Sequence, residues 1–263
     1  MMSFRRIRSV LLQELFITYR SMEIIFDVFI LSLISLFLFG FLSLYLVGTQ
    51  NAIAGKILLL GMLLWDVIRI IQYSISIGSL WNLWARNLCN MFIAPLHMGE
   101  YLLAHTLSGI AKAILVFTLD SVLAILVFHF NIYQVGTVNL VLFFLNLSIF
   151  AFVTGIVIVG LILCYGMRIQ AFAWGLIPML QPLTAALFPV KVLPTPLQGV
   201  AYLFPCTYIF EAARYSLSSG NRDWHAISVA FFLNLLYLLL STLFFKMMFR
   251  RARNTGQFVR NES

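Results

Sequence analysis

Charged residues are scarce in this chain: Asp, Glu, Lys and Arg together make up 10% of 263 residues, where a soluble globular domain carries about 25%. That shortage excludes an ordinary water-soluble enzyme of this length, and 62% hydrophobic residues with a mean hydropathy of +0.99 point to a polytopic membrane protein instead. Cysteine is nearly absent. Cys89, Cys164 and Cys206 fall in different segments, so no disulfide framework is implied. His97, His105, His129 and His225 stand in no metal-ligand spacing such as H-E-x-x-H, and there is no G-x-S-x-G elbow. Gly55-Lys56 lacks the upstream glycine and the following hydroxyl of a phosphate-binding loop. No catalytic set, metal site or cofactor is therefore expected in the chain, and any ATP used must be bound by another one.

Six long apolar stretches are present, at 24–47, 57–80, 101–128, 139–165, 172–188 and 226–248. A helix of about 20 apolar residues crosses roughly 30 Å of hydrocarbon, and backbone polar groups in lipid must be satisfied internally, so the fold class expected is all-α with six transmembrane helices. Arg5, Arg6, Arg8, Arg20, Arg86, Arg168, Lys246, Arg250, Arg251, Arg253 and Arg260 then fall on one side, against Lys56, Lys191, Arg214 and Arg222 on the other. Cytoplasmic loops retain positive charge, which puts both termini inside. The net charge of +8 reads as topology and contact with anionic lipid, not nucleic-acid binding. No cleavable signal peptide is expected, because the first apolar run starts only near Ile24 and no small-residue cleavage site follows it.

Before the first span, in residues 1–23, Phe4, Ile7, Leu11, Leu15 and Met22 recur at spacings that suit an interfacial amphipathic helix. A solvated tail that merely obeys the charge rule is the alternative. Residues 81–99 form a polar and aromatic segment long enough for a short helix that Pro95 would end, either an interfacial connector anchored by Trp81 and Trp84 or a docking helix for a partner. Pro178, Pro182, Pro189, Pro194, Pro196 and Pro205 are six of the seven prolines, and no plain helix continues through them. Within the external region 189–224, residues 193–219 read as a pair of short helices dipping back into the bilayer, or as a surface loop with one interfacial helix. The first requires surrounding protein or a water-filled pathway.

Three charges fall inside spans. Asp66 and Arg69 lie midway along the second and Lys112 midway along the third, where each costs roughly 2.5–3.5 kcal/mol unless it faces protein or water. Similar depth predicts that Asp66 pairs with Lys112, with Arg69 one turn along; the cluster either contacts substrate or only packs. Asp120, further along its helix, is expected near the outer surface and needs no special account.

The order of these parts resembles the transmembrane subunit of ATP-binding-cassette exporters of the type-2 permease family, over nearly the whole chain. Phe188-Pro189-Val190-Lys191-Val192-Leu193-Pro194 resembles that family's F-P-x-x-x-L-P run, and Pro205-Cys206-Thr207-Tyr208 followed by Arg214 its P-x-T-Y…R run. Pro95-Leu96, closely followed by Glu100, is similar to the close of its coupling segment. The sequence departs from the pattern in having no acid beside Arg86 and Phe204 in place of an asparagine. The resemblance implies a single permease domain over 1–263 that pairs with a second permease chain, as a homodimer, and docks two cytoplasmic ATPase subunits carrying ATP and Mg. It implies ATPase docking at Trp84, Arg86, Asn87 and Phe92, and an external gate at Pro205, Tyr208, Glu211 and Arg214. The location implied is a bacterial inner or plasma membrane. A lipid-linked glycan, a lipid or an amphipathic drug would suit as cargo, although the 25 Phe, 10 Tyr and 5 Trp also serve packing and lipid contact. The competing class is an integral-membrane enzyme acting on a lipid.

Overall fold

The computed structural model describes residues 3–48, 52–85 and 96–255. These fold entirely into helices and their connections, with no strand among the described residues. Helix α1, Phe4–Arg20, precedes α2, Met22–Gly48, whose course is interrupted by a π-helical turn at Phe26–Ile30. Then follow α3 (Ala52–Trp84), α4 (Met98–Phe128), α5 (Thr137–Tyr165) and α6 (Ala171–Leu183). Two short helices, α7 (Thr195–Ala201) and α8 (Pro205–Ser219), lead to the last, α9 (Trp224–Asn254).

Helices α2, α4, α5 and α9 are long and apolar enough to cross a bilayer, which marks the chain as a membrane protein. Three of them bury only 22–28% of their most apolar window within the protein, and α5 buries 72%. Apolar surface turned away from the protein is what lipid covers, so α2, α4 and α9 form the outer wall and α5 the interior.

Helix α3 is different. Its 33 residues reach about 50 Å, and from Leu59 to Trp84 nearly every position is buried, because α2, α4, α5, α6 and α8 all pack against it. A helix enclosed on all sides can be apolar all round. It can also hold Asp66, Arg69 and Gln72, since protein meets these groups where lipid would not.

Helix α6 is only 13 residues long and stops at Leu183, short of the end of the expected 172–188 span; at helical rise it reaches about 20 Å. Pro178 and Pro182 lie within it, and beyond Leu183 the chain turns sharply, with Ala185 at φ 51°. The helix thus continues through Pro178 and Pro182, contrary to the expectation, and ends only after the second of them. Residues 193–219 do form a pair of short helices. Pro205 opens α8 at a position where its missing N–H costs nothing, Gly220 closes it at φ 72°, and the Asp223 carboxylate caps α9 by accepting from the Ala226 N–H at 3.0 Å.

Helix α1 is present. Of the apolar stripe, Ile7 is buried and Leu11 packs on the core, while Phe4, Leu15 and Met22 are exposed; Val10 and Glu14 also turn inward against α4.

Candidate functional site

Three polar assemblies lie along α3. At its Trp84 end, α1 is tied down by side chains. Glu14 is 3% exposed and lies with Oε1 3.3 Å from His105 Nδ1 and Oε2 3.6 Å from Lys112 Nζ. Burial works against a charged Glu14, but His105 and then Lys112 outweigh it and hold the carboxyl below its ordinary range. Gln13 Nε2 donates to Asn82 Oδ1 at 3.2 Å, and Asn82 Nδ2 donates to Tyr101 Oη at 2.9 Å. At the start of α4, Glu100 accepts from the backbone N–H groups of Ser3 at 2.6 Å and His97 at 3.0 Å, with Arg6 at 3.5 Å. Gly78 makes this fit possible, because a Cβ there would stand 2.5 Å from His105 Nδ1.

The indole of Trp84 stacks on Trp174 of α6 at 5.9 Å and meets Trp81 edge-on at 5.3 Å. Trp81 and Trp84 are the last turn of α3, so the expected separate segment does not begin at 81. Arg86, Asn87, Phe92, Cys89 and Pro95 lie outside the described residues.

The middle assembly overturns the expected pairing of Asp66 with Lys112. Arg69 Nε donates to Asp66 Oδ1 at 2.7 Å within one turn of α3. Its Nη1 donates to the Asp27 carbonyl at 2.8 Å and its Nη2 to the Ser32 hydroxyl, both on α2. Tyr73 Oη donates to Asp27 Oδ2 at 2.8 Å. Lys112 turns instead toward α1 and Glu14. Depth along a helix gives no azimuth, and the partner of Lys112 lies in α1, outside the spans. Asp120 is also unlike its expectation: only 1% of it is exposed, and neither carboxylate oxygen has a hydrogen-bond partner among the described residues.

The third assembly sits at the Gly61 end, where the structure brings the expected gate residues into one region. Arg214 Nη1 donates to Glu211 Oε1 at 2.8 Å, and Nη2 donates to the carbonyls of Ala185 and, at 3.0 Å, Ala186. Glu211 Oε1 accepts the Val190 N–H at 2.8 Å. The Thr207 hydroxyl hydrogen-bonds the carbonyl of Ala201 at 2.7 Å, and Tyr208 packs on Tyr202 at 5.4 Å. Arg214 therefore holds the turn that follows α6. A guanidinium suits this because its fork serves a carboxylate and two carbonyls at once. Glu211, Arg214, Val190 and Tyr202 border a cavity of about 620 Å³ whose wall also includes Lys56, Gln134 and Lys191.

Glu14 and Asp27 have no place in the sequence reading, and Glu100, His105 and Asp120 carry no interaction there. An acid four residues after Val10, on the stripe through Ile7 and Val10, was the available signal for Glu14. Among the described residues, no group of three or more His, Cys, Asp or Glu side chains is placed to hold a metal ion. Compared with known proteins, the chain matches no family model and no curated sequence.

Proposed function

We propose that this chain is the membrane-spanning subunit of an ATP-driven exporter of the type-2 ATP-binding-cassette class. In this reading α3 and the region of α6 complete six spans, and both termini face the cytoplasm. Two copies form the pathway, each docks an ATPase subunit carrying ATP and Mg, and the cargo is a lipid-linked glycan, a lipid or an amphipathic drug.

The observation that carries the reading is the continuity of α3. One end packs with α1 and the Trp84–Trp174 stack, where a cytoplasmic partner would push; the other approaches the Ala185-Ala186 turn held by Arg214. A Cβ at Gly61 would stand 2.1 Å from the Ala186 carbonyl oxygen, so displacement of the rod shifts that turn. Closure of the ATPases would move α1 and α3 together, and Pro205, Tyr208, Glu211 and Arg214 would respond at the outer gate. Asp66 and Arg69 would keep α2 in register with α3 during the movement, while Lys112 would keep α4 with α1.

Purification from native membranes tests the proposal. A nucleotide-hydrolysing subunit should copurify in equal number with this chain, and Trp84→Ala should uncouple its hydrolysis from transport. Turnover of a lipid by this chain alone, with no ATPase present, would overturn it, as would labelling of positions 86 and 253 from opposite faces of intact cells.

A further inference from the structure

The last turns of α9 carry positive charge that no described residue answers. From Ala226 to Phe245 the helix holds no Asp, Glu, Lys or Arg, a stretch of about 30 Å at helical rise, which is the thickness of the hydrocarbon core. Lys246 is therefore the first charge at the level of the lipid headgroups, with Arg250 and Arg253 about 6 and 10 Å further along. Spacings of four and three residues put these cations on one face, and all of them are exposed. Among the described residues none of the three forms an ion pair. The rest of the sequence outside the described residues adds one acid, Glu262, against Arg86 and Arg260.

The same face borders a cavity of about 550 Å³ between α4, α5 and α9, within the size range of small-molecule sites. Its wall changes character with depth. Lys246, Arg250 and Arg253 stand at the headgroup level, near the start of α4 at Met98. One turn deeper on α4 come Leu102 and Leu103, joined by Phe152 and Ile156 from α5 and by Phe245, which stacks on Phe249 at 6.0 Å. Among the described residues no Asp or Glu borders the cavity. Because α4 packs chiefly on α3 and α9 on α5, the cavity separates two helices that have little direct contact.

Three cations select an anion, and apolar walls at hydrocarbon depth select an acyl chain. A free anion would leave those walls uncovered. A zwitterionic lipid would bring its own ammonium against the cations, with no net charge to answer them. We propose that the cavity binds an anionic glycerophospholipid, its phosphodiester held by Lys246, Arg250 and Arg253 and one acyl chain lying along Leu102, Leu103, Phe152 and Ile156. Basic pockets between membrane helices suit such headgroups, and the guanidinium fork matches phosphate oxygens. Bound there, the lipid bridges α4 and α9. The site requires that α9 cross a bilayer and stands independently of the exporter reading.

The delipidated full chain in detergent, titrated with dioleoylphosphatidylglycerol or dioleoylphosphatidylcholine and followed by native mass spectrometry, tests the site. One phosphatidylglycerol per chain should bind more tightly than phosphatidylcholine by about tenfold or more. Arg250→Gln should weaken it about fivefold, whereas Arg251→Gln, one residue along the same helix but outside the cavity wall, should leave it unchanged. A diazirine in the acyl chain should label the peptides that contain Leu102 and Leu103 or Phe152 and Ile156, and soluble glycerol 3-phosphate should not displace the lipid. Equal binding of the two lipids by the wild type, which needs no variant to fold, would overturn the proposal. So would equal effects of Arg250→Gln and Arg251→Gln, the mark of diffuse attraction to a basic surface. Displacement by glycerol 3-phosphate, or acyl-chain labelling confined to other helices, would overturn it as well.

Discussion

The two ends of α3 are held by different chemistry. Near Trp84 the grip is side chain to side chain, through Glu14 with His105 and Lys112 and through Gln13, Asn82 and Tyr101. Near Gly61 the backbone takes a larger part, with the Arg214 side chain drawn onto two carbonyls as well as onto Glu211, and α3 pressed against the Ala186 peptide. Contacts between titratable side chains can be released by a partner or by acid. A guanidinium on carbonyls has no proton to gain from acid, so the Arg214 bonds to Ala185 and Ala186 differ in kind from the Glu14 contacts at the Trp84 end.

The sharpest way to break this contrast is Arg214→Ala, which strands the Ala185 and Ala186 carbonyls and the Glu211 carboxylate. A loss of about 3–5 kcal/mol is expected, read by thermal unfolding in detergent, and Arg214→Lys should recover only part of it because an ammonium lacks the fork. Gly61→Ala should cost about 1–3 kcal/mol in the same measurement, since the obstructing atom is backbone. Glu14→Gln should cost a similar or smaller amount, about 1–3 kcal/mol, but its signature is local: faster hydrogen exchange in Phe4–Arg20 with the Gly61 end unchanged.

Acid provides a gentler probe of the same end. The folded-state pKa of Glu14 lies below its ordinary value, so its contribution is present in full above the unfolded pKa of about 4.3. It is lost as the pH falls through the lower folded value. Exchange in α1 should rise in that acid range, and Glu14→Gln should shrink the step to the part that Glu100 contributes through Ser3 and Arg6. Trp174→Ala is expected to be the mildest change, about 0.5–1.5 kcal/mol from the lost stack on Trp84, visible as a shift in tryptophan fluorescence.

The contrast also explains what could be read from the sequence. Apolar length alone located α2, α4, α5 and α9, and the proline cluster located the two short helices beyond Leu183 but not the end of α6, which runs through Pro178 and Pro182. Tertiary choices were not legible. The span pattern fixed how deep Asp66, Arg69 and Lys112 lie but not which way each points, and Lys112 found its partner in a helix outside the spans. Glu14 lies beside the apolar stripe of α1, and its partners His105 and Lys112 come from another helix, so its burial has no signature in hydrophobic periodicity. Asp120, near the end of its helix, gave no sign that α3 would cover it.

The π-helical turn at Phe26–Ile30 sets the position of Asp27 relative to Arg69 and Tyr73. Such a turn accommodates one residue more than a regular helix, and each residue of an α-helix turns the chain by about 100°. Deleting a single residue from 26–30 would therefore restore an unbroken helix yet swing everything before it around the axis, carrying Asp27 off the guanidinium and α1 off its seat on α4. One codon governs whether the amino-terminal arm and the bundle are in phase.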